Sequence, residues 1–272
     1  MYIQGKTVLV TGATDGIGKQ TAKEIASQGA RVLVHGRNSQ KVERTMQEIR
    51  QNQPDAQLAG YVADFSSLQA VAQMADDILA SEGSLQVLIN NAGIYTPDFQ
   101  LSDDGYELTF AVNHLAPFLL TMKLMDRISA NPFARIINVT SVAHRVRDLD
   151  IEKINAEDSF KGWGAYKISK FANILFTYQL ARRLDGSGVT VNCLHPGAVD
   201  TKVLRSAFPS MQGISLEDGA RSSVYLASSE EVEGVTGKYF ENCVAIASSA
   251  ETYDEELQNA LWERSKEWVG IK

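Results

Sequence analysis

The stretch Thr7-Val8-Leu9-Val10-Thr11-Gly12-Ala13-Thr14-Asp15-Gly16-Ile17-Gly18 decides the fold of this chain. Its first four residues form an apolar, β-branched run that predicts a strand, and Ile17 to Gln28 predict a helix that ends at Gly29. A second strand is predicted at Arg31 to His35. Strand, helix and strand within about thirty residues predict a βαβ unit, with parallel strands and a right-handed crossover.

The same alternation continues along the chain. Further strands are predicted at Gln57–Ala63, Leu85–Asn90, Arg135–Thr140, Val189–Leu194 and Lys238–Glu241, and helices near 67–81, 102–129, 163–185, 216–229 and 253–269. The pattern predicts an α/β fold, a doubly wound (Rossmann) parallel sheet of about seven strands with helices on both faces, in a single domain over residues 1–272. The irregular stretches at about 142–162 and 197–215 follow strands at their C-terminal ends, so we expect them to form the substrate loops.

Composition narrows the class of protein. With 44% apolar and 22% charged residues the chain is not disordered, and with a formal charge of -7 neither nucleic acid nor an anionic membrane is an expected partner. The residues from Met1 to Lys6 do not resemble a signal peptide, and no window approaches the ~20 apolar residues of a membrane span. Cys193 and Cys243 lie in apolar runs, where we expect them to be small core residues in a reducing compartment. We therefore expect a cytoplasmic protein without a membrane span.

The glycines of the first turn predict a dinucleotide site. Gly12 permits a sharp turn, Gly16 permits backbone N–H groups to approach a diphosphate, and Gly18 permits close packing of helix on strand. Asp15 and Ile17 lie between them and are expected to take part. The alternative is a glycine-rich loop that binds no ligand, but the position between a strand and a helix favours a dinucleotide.

The end of the second strand indicates which dinucleotide binds. A carboxylate usually reads the ribose 2′-OH of NAD, whereas an Arg suits a 2′-phosphate. Here Arg37 follows the strand, and no acid occurs before Glu43 in the next helix, so NADP(H) is favoured and NAD(H) remains the alternative. Asp15 in the glycine-rich turn opposes this preference, and Arg37 could instead be a solvated loop cation.

A Tyr and a Lys four residues apart predict acid–base chemistry. Tyr166 and Lys170 lie on one face of a predicted helix, where the ammonium can lower the pKa of the phenol from its usual value near ~10. Many helices carry the same spacing as a packed aromatic with a solvated Lys. Asn90-Asn91-Ala92-Gly93 and Val139-Thr140-Ser141 strengthen the catalytic reading, because both end buried strands at the expected cofactor edge.

Seven motifs follow one another along the chain: the TGxxxGxG at 11–18, Asp64, the NNAG at 90–93, Asn113, Ser141, the YxxxK at 166–170 and Pro196-Gly197. In this order they resemble the short-chain dehydrogenase/reductase family. The resemblance covers nearly the whole chain. It implies that Tyr166 exchanges a proton with the substrate oxygen, that Ser141 hydrogen-bonds that oxygen and that Lys170 tunes the phenol and holds the nicotinamide ribose. Asn113 would keep a water that links Lys170 to solvent.

The resemblance also implies cofactor contacts. Asp64 would meet the adenine, Asn91 the adenosine ribose region and Thr201 the carboxamide of the nicotinamide. The cofactor-binding residues predicted in total are Gly12, Asp15, Gly16, Ile17, Gly18, Arg37, Asp64, Asn91, Ala92, Gly93, Tyr166, Lys170, Pro196, Gly197 and Thr201.

One departure points to a branch of the family. Ser141 and Tyr166 lie 25 residues apart, about twice the spacing of many members. This insertion, with Val142-Ala143-His144, the run 172–176 and Gly237-Lys238-Tyr239-Phe240, most resembles the retinol-dehydrogenase-like branch. The resemblance implies an NAD(P)-dependent oxidoreductase acting on an apolar carbonyl compound or alcohol.

Other interpretations stay open. A catalytically idle dinucleotide-sensing scaffold could share the fold, although it would not need Asn113, Ser141, Tyr166 and Lys170 together. A membrane-seated enzyme would lack its expected anchor. A homo-oligomer could pair through the helices at 102–129 and 163–185.

The smaller signals are ambiguous. The four histidines show no metal-ligand spacing, so no metal is expected. His144 could contact substrate or satisfy loop backbone groups. The same ambiguity holds for an apolar set that could line the substrate pocket or cover the core, namely Val203, Leu204, Phe208, Met211 and Ile214.

Overall fold

Buried β-branched and aliphatic residues run through the central strands, and in the computed structural model these strands join in one sheet. The structure describes residues 3–271. Met1 and Tyr2, which begin the segment compared above with a signal peptide, and Lys272 lie outside the described residues. The strands are β1 (Thr7–Val10), β2 (Arg31–Gly36), β3 (Leu58–Val62), β4 (Val87–Asn90), β5 (Arg135–Val139), β6 (Thr190–His195), β7 (Tyr239–Glu241) and β8 (Val244–Ile246).

The sheet has the order β3-β2-β1-β4-β5-β6-β7-β8, and β1 to β7 are parallel. Strand order reverses between β1 and β4, so their carboxyl ends open a crevice at the point where such sheets bind ligands. The predicted doubly wound fold is confirmed.

The sheet has eight strands in the described part of the chain, not about seven, because β8 adds an antiparallel edge. Asn242 and Cys243 form the turn into β8 with φ of 50° and 65°, a left-handed conformation that short hairpins require. Cys243 is therefore a half-buried turn residue and not the expected core residue, whereas Cys193 is buried as expected. A three-residue strand with exposed side chains gives no alternating pattern by which the sequence could predict it.

Helices cover both faces of the sheet. They are α1 (Gly16–Ser27), α2 (Ser39–Asn52), α3 (Leu68–Ser81), α4 (Leu108–Phe110), α5 (Ala116–Ser129), α6 (Gly162–Arg183), α7 (Lys202–Ala207), α8 (Leu216–Ser228) and α9 (Glu255–Trp268). One apolar cluster joins α1, α2 and α8 to one face, and another joins α3, α5 and α6 to the other. The loop 142–162 forms only short 3-10 turns, and 197–215 contains α7.

The helix expected near 102–129 begins later and is not uniform. Glu107 caps it by accepting hydrogen bonds from the backbone N–H groups of Thr109 and Phe110, at 2.9 and 2.7 Å. A π-helical turn, Ala111–Leu115, then separates α4 from α5, and the N–H of Ala116 bonds to Ala111 O. The spacing of apolar residues in the sequence predicts the helix but not the wider π turn within it.

The segment Leu108–Ser129 is long and apolar enough to cross a membrane by length and composition alone. In this fold 78% of its most apolar window is buried, as in a helix that packs inside a protein core. The expected absence of a membrane span stays a prediction.

Helix α9 packs on α6 and supplies Trp262 to the core. The indole lies 5.1 Å from the ring of Phe118 in α5 and 5.9 Å from that of Phe176 in α6, centroid to centroid. The α6 surface suggested for pairing between subunits is thus partly covered by the chain itself. A homo-oligomer stays a prediction, and pairing through this part of α6 would require α9 to move.

Candidate active site

The glycine-rich turn between β1 and α1 is held tightly against the end of β4. Gly12 has φ of 64°, and a Cβ there would lie 2.9 Å from Ala92 Cα. A Cβ on Gly18 would overlap Gly12 O and the side chain of Asn91. Asn91 donates from its amide nitrogen to Thr11 O at 2.8 Å. The amide of Asn91, predicted to meet the adenosine ribose region, therefore braces the turn itself.

A cleft of about 1000 Å³ opens above this turn, along the carboxyl ends of the strands. Every predicted site residue lines it except Asn113, which is fully buried. The lining residues predicted from the sequence are Gly12, Asp15, Gly16, Ile17, Gly18, Arg37, Asp64, Asn91, Ala92, Gly93, Ser141, Tyr166, Lys170, Pro196, Gly197 and Thr201. The fold thus brings the residues predicted from the sequence together in one cleft. The contact of each residue with a ligand stays a prediction.

Two cations lie at the end of the cleft next to β2. Arg37 is exposed there, and Lys41 lines the same wall from the first turn of α2. Sequence analysis missed Lys41, although a second cation close behind Arg37, in the first turn of the next helix, was a usable signal. Together the two side chains and the helix terminus favour a group with negative charge.

Asp15 does not leave its charge unbalanced in the cleft. Its carboxylate accepts a hydrogen bond from Gly16 N and forms an ion pair with Lys202 at 2.6 Å. The hydrogen bond from Lys202 holds the pKa of Asp15 below its usual value, so the group is ionised. The opposition to a phosphate that was expected from Asp15 is therefore offset by a cation from the loop 197–215.

His35 shapes the floor of the cleft at the end of β2. Its Nδ1 accepts from the N–H of Gly12 at 3.2 Å, and its Nε2 lies 3.1 Å from Ala63 O, to which it donates. The ring stacks on Phe65 at 4.3 Å. Burial lowers the pKa of His35 to about 4, so the imidazole is neutral and holds the glycine-rich turn to β2 and β3.

Ser141, Tyr166 and Lys170 meet at the other end of the cleft. Ser141 follows β5 and accepts from the N–H of Ala143 at 3.1 Å, which leaves the hydroxyl hydrogen to donate to the phenol of Tyr166. Lys170 donates to Val139 O at 3.0 Å, and its Nζ lies 5.7 Å from the centroid of the Tyr166 ring. The predicted arrangement of a Tyr and a Lys on one helix face is present.

Burial works against ionisation of both groups. It raises the pKa of Tyr166 to about 12, while the hydrogen bond from Ser141 lowers it, and burial alone lowers the pKa of Lys170 to about 8. The hydrogen bond from Ser141 offsets only part of the rise in the phenol pKa, and the lowering expected from Lys170 stays a prediction. A phenol that stays protonated near neutral pH is suited to donate a proton.

Asn113 lies behind the cleft in the π turn. Its Oδ1 accepts from Ile94 N at 2.8 Å, and its Nδ2 donates to Ile94 O at 3.0 Å and to Ser169 Oγ at 2.9 Å. A Cβ on Gly93 would lie 3.3 Å from both Asn113 Oδ1 and Lys170 Nζ, so these two atoms lie close together on one side of this glycine. The side chain thus fixes the loop after β4 beside the ammonium group.

His144 is fully engaged by the backbone. Its Nδ1 donates to Ser141 O at 2.7 Å, and its Nε2 accepts from Ser249 N at 3.0 Å. The ring ties the turn after Ser141 to the segment after β8. Of the two interpretations of His144, the structure shows the one in which the ring satisfies backbone groups of the loop.

Aromatic rings surround the phenol of Tyr166. Trp163 stacks on it with centroids 5.1 Å apart, and Tyr95 meets it edge-on at 6.3 Å. Phe208, from the loop 197–215, meets Trp163 edge-on at 4.8 Å. The cleft is also lined by Val203, Leu204, Phe208 and Met211, whereas Ile214 packs against Gly197. This end of the cleft is suited to an apolar group.

No cluster of three or more His, Cys, Asp or Glu residues that could hold a metal occurs among residues 3–271. That the protein needs no metal stays a prediction.

Comparison with known proteins gives consistent matches. Residues 6–212 match the family model described as short chain dehydrogenase. The chain is 38% identical to retinol dehydrogenase 14 of Mus musculus over 99% of this chain and 87% of the relative. It is 39% identical to retinol dehydrogenase 13 of Homo sapiens over 99% of this chain and 86% of that relative.

Solved structures share the fold. An uncharacterised protein from Mycobacterium paratuberculosis is 29% identical, with a TM-score of 0.83 over 99% of this chain and 95% of that one. A short chain dehydrogenase from Escherichia coli CFT073, complexed with NADPH, is 25% identical, with a TM-score of 0.74 over 89% of this chain and 98% of that one.

Proposed function

Since this chain belongs to the short-chain dehydrogenase/reductase family of oxidoreductases, we propose that it interconverts an alcohol and its aldehyde or ketone by hydride transfer with NADP(H). The observation that carries the proposal is the meeting of Ser141, Tyr166 and Lys170 on one wall of the cleft. A scaffold that only senses a dinucleotide would not need a phenol and an ammonium buried together beside a hydroxyl.

The proposed chemistry follows from the protonation states. When bound in the cleft, a nicotinamide cofactor would supply the hydride for reduction of the carbonyl carbon. Tyr166, protonated because burial raises the pKa of its phenol to about 12, donates the proton to the carbonyl oxygen. The hydroxyl of Ser141, which donates to the phenol in the free protein, would donate its one hydrogen to that oxygen instead, and the charged form of Lys170 would stabilise the phenolate left behind. Oxidation of the alcohol runs the same steps in reverse.

The cleft fits a dinucleotide with a 2′-phosphate. Its glycine-rich turn permits close approach at the N-terminus of α1, and Arg37 with Lys41 provides two cations at the β2 end. The similar Escherichia coli protein binds NADPH, which supports the same preference here.

For the substrate we propose an apolar carbonyl compound or alcohol. Trp163, Tyr95 and Phe208 enclose the phenol, and the relatives named above are retinol dehydrogenases. We also propose a reducing, cytoplasmic location, which the two free cysteines support.

Turnover of aldehydes, ketones and alcohols, assayed with both nicotinamides, tests the proposal. We expect reduction of apolar aldehydes or ketones with NADPH, and a loss of at least about 100-fold in kcat for Tyr166→Phe with NADPH affinity nearly unchanged. Tyr225→Phe, which removes a phenol that bonds Glu231 and does not line the cleft, is the control and should keep full activity.

Binding of NADPH without turnover of any of these compounds would favour the scaffold. Full activity in Tyr166→Phe would show that another group moves the proton.

A further inference from the structure

A buried carbonyl in the π turn lacks its ordinary helical partner. In a regular helix, the carbonyl of Asn113 would accept from the N–H four residues later, but that residue is Pro117, which has none. Asn173, one turn beyond Lys170 in α6, instead donates to Asn113 O from its Nδ2 at 2.9 Å. Both residues are buried, so water cannot reach the carbonyl of Asn113, and the bond from Asn173 satisfies it instead.

The bond from Asn173 is the last of three that run in one direction. Because Asn173 uses its NH₂ group on Asn113, its Oδ1 is the acceptor for His114 Nδ1, at 3.1 Å. Burial lowers the pKa of His114 to about 4, so the ring is neutral and its Nε2 must accept. The hydroxyl of Ser265 in α9 donates to it at 2.9 Å.

We propose that Ser265, His114 and Asn173 are positioning residues that fix Asn113 beside Lys170, so that α9 contributes to catalysis without touching the cleft. The proposal rests on the function proposed above. The effect on the site passes through Asn113, because its side chain holds Ile94 and its Oδ1 lies on the same side of Gly93 as the ammonium of Lys170. If the carbonyl of Asn113 is released, its amide and the loop after β4 shift relative to Lys170.

Ser265→Ala is the central test, because it removes one buried hydroxyl and leaves the shape of the core. Ser223→Ala is the matched control: Ser223 is also fully buried, but it lies in α8, and its hydroxyl has no hydrogen-bond partner among residues 3–271. We expect kcat to fall about tenfold in Ser265→Ala, with KM and the NADPH dissociation constant within about twofold of wild type. Ser223→Ala should keep the wild-type kcat.

A double-mutant cycle separates positioning from general stability. In an Asn113→Ala background, Ser265→Ala should lower kcat no further, because the group that it positions is already absent. An equal tenfold loss in both backgrounds, or no loss in the wild-type background, would overturn the proposal.

Amide hydrogen exchange gives a readout that does not depend on turnover. In Ser265→Ala, the N–H of Ile94, which donates to Asn113, should exchange at least about tenfold faster than in Ser223→Ala. Equal exchange in the two variants would refute the proposal, even if the chain turned over none of the compounds assayed. A change in exchange together with absent turnover would refute the proposed function and leave the positioning role in place.

Discussion

At the scale of single residues, charge at the β2 end of the cleft decides which dinucleotide is preferred. Arg37 can form forked, charge-assisted hydrogen bonds with a 2′-phosphate, but it gains little from the hydroxyl of NAD. Asp15 was the residue expected to weaken this preference, and its ion pair with Lys202 offsets its charge.

We expect a ten- to hundredfold preference for NADPH over NADH in kcat/KM, because a hydrogen bond to a charged group contributes about 1.5–3 kcal/mol. Arg37→Ala should remove most of this preference, and Lys41→Ala should reduce it. Arg44→Ala, an exposed cation of the same helix that does not line the cleft, is the control. Equal kcat/KM for both nicotinamides in wild type would contradict the prediction, as would a preference that survives the loss of Arg37.

The sequence predicts residue roles best where chemistry and local spacing coincide. Tyr166 and Lys170 were recognisable from their spacing on one helix, and the glycines from their place between a strand and a helix. The bonds that join His144 to Ser249 and His114 to Ser265 were not predictable, because these partners are distant in sequence. Only the folded chain brings such pairs together.

At the scale of elements, periodicity located the long strands and helices but not their irregular ends. The π turn at Ala111–Leu115 interrupts a continuous apolar pattern, and the strand Val244–Ile246 is too short to form one. The helix 253–269 was expected to dock through its apolar residues, and α9 does so on α6. Its position over α5 and α6 depends on tertiary packing that no local pattern records.

Trp262 is the main anchor of α9, since it is 4% exposed and packs between Phe118 and Phe176. Trp262→Ala should lower the free energy of unfolding by about 3–5 kcal/mol, because it leaves a cavity of aromatic size. Trp163→Ala, the removal of a half-buried indole at the cleft, should cost clearly less. Urea unfolding of the three proteins measures the difference, and equal losses would show that α9 is not anchored in this way.

At the scale of the whole molecule, buried neutral histidines make stability depend on pH. Burial lowers the pKa of His35 and of His114 to about 4 in the folded chain, from an ordinary value of 6.5. Between these values the unfolded chain binds protons that the folded chain does not, so the free energy of unfolding falls as pH decreases from 6.5 to 4. Each group contributes up to about 3 kcal/mol of this loss.

His35→Gln tests the pH dependence, because Gln can still donate to Ala63 O but does not titrate. Between pH 6.5 and 4, the free energy of unfolding of this variant should change less with pH than that of wild type. The difference in slope should correspond to the uptake of up to about one proton on unfolding. Phe65→Leu, which removes the stacked ring without a titratable group, should lower stability while the slope stays the same. A wild-type slope in His35→Gln would exclude His35 as a source of acid sensitivity.

The docking of α9 also sets an order of events during synthesis on the ribosome. Residues 255–268 leave the exit tunnel after all the segments that they cover, so the apolar side of α5 and α6 has no cover while those helices are already outside. Nascent chains with such exposed surface aggregate readily or bind chaperones. Ribosome-bound chains stalled before residue 255 should therefore capture chaperones that no longer bind when a C-terminal linker carries residues 255–268 out of the tunnel.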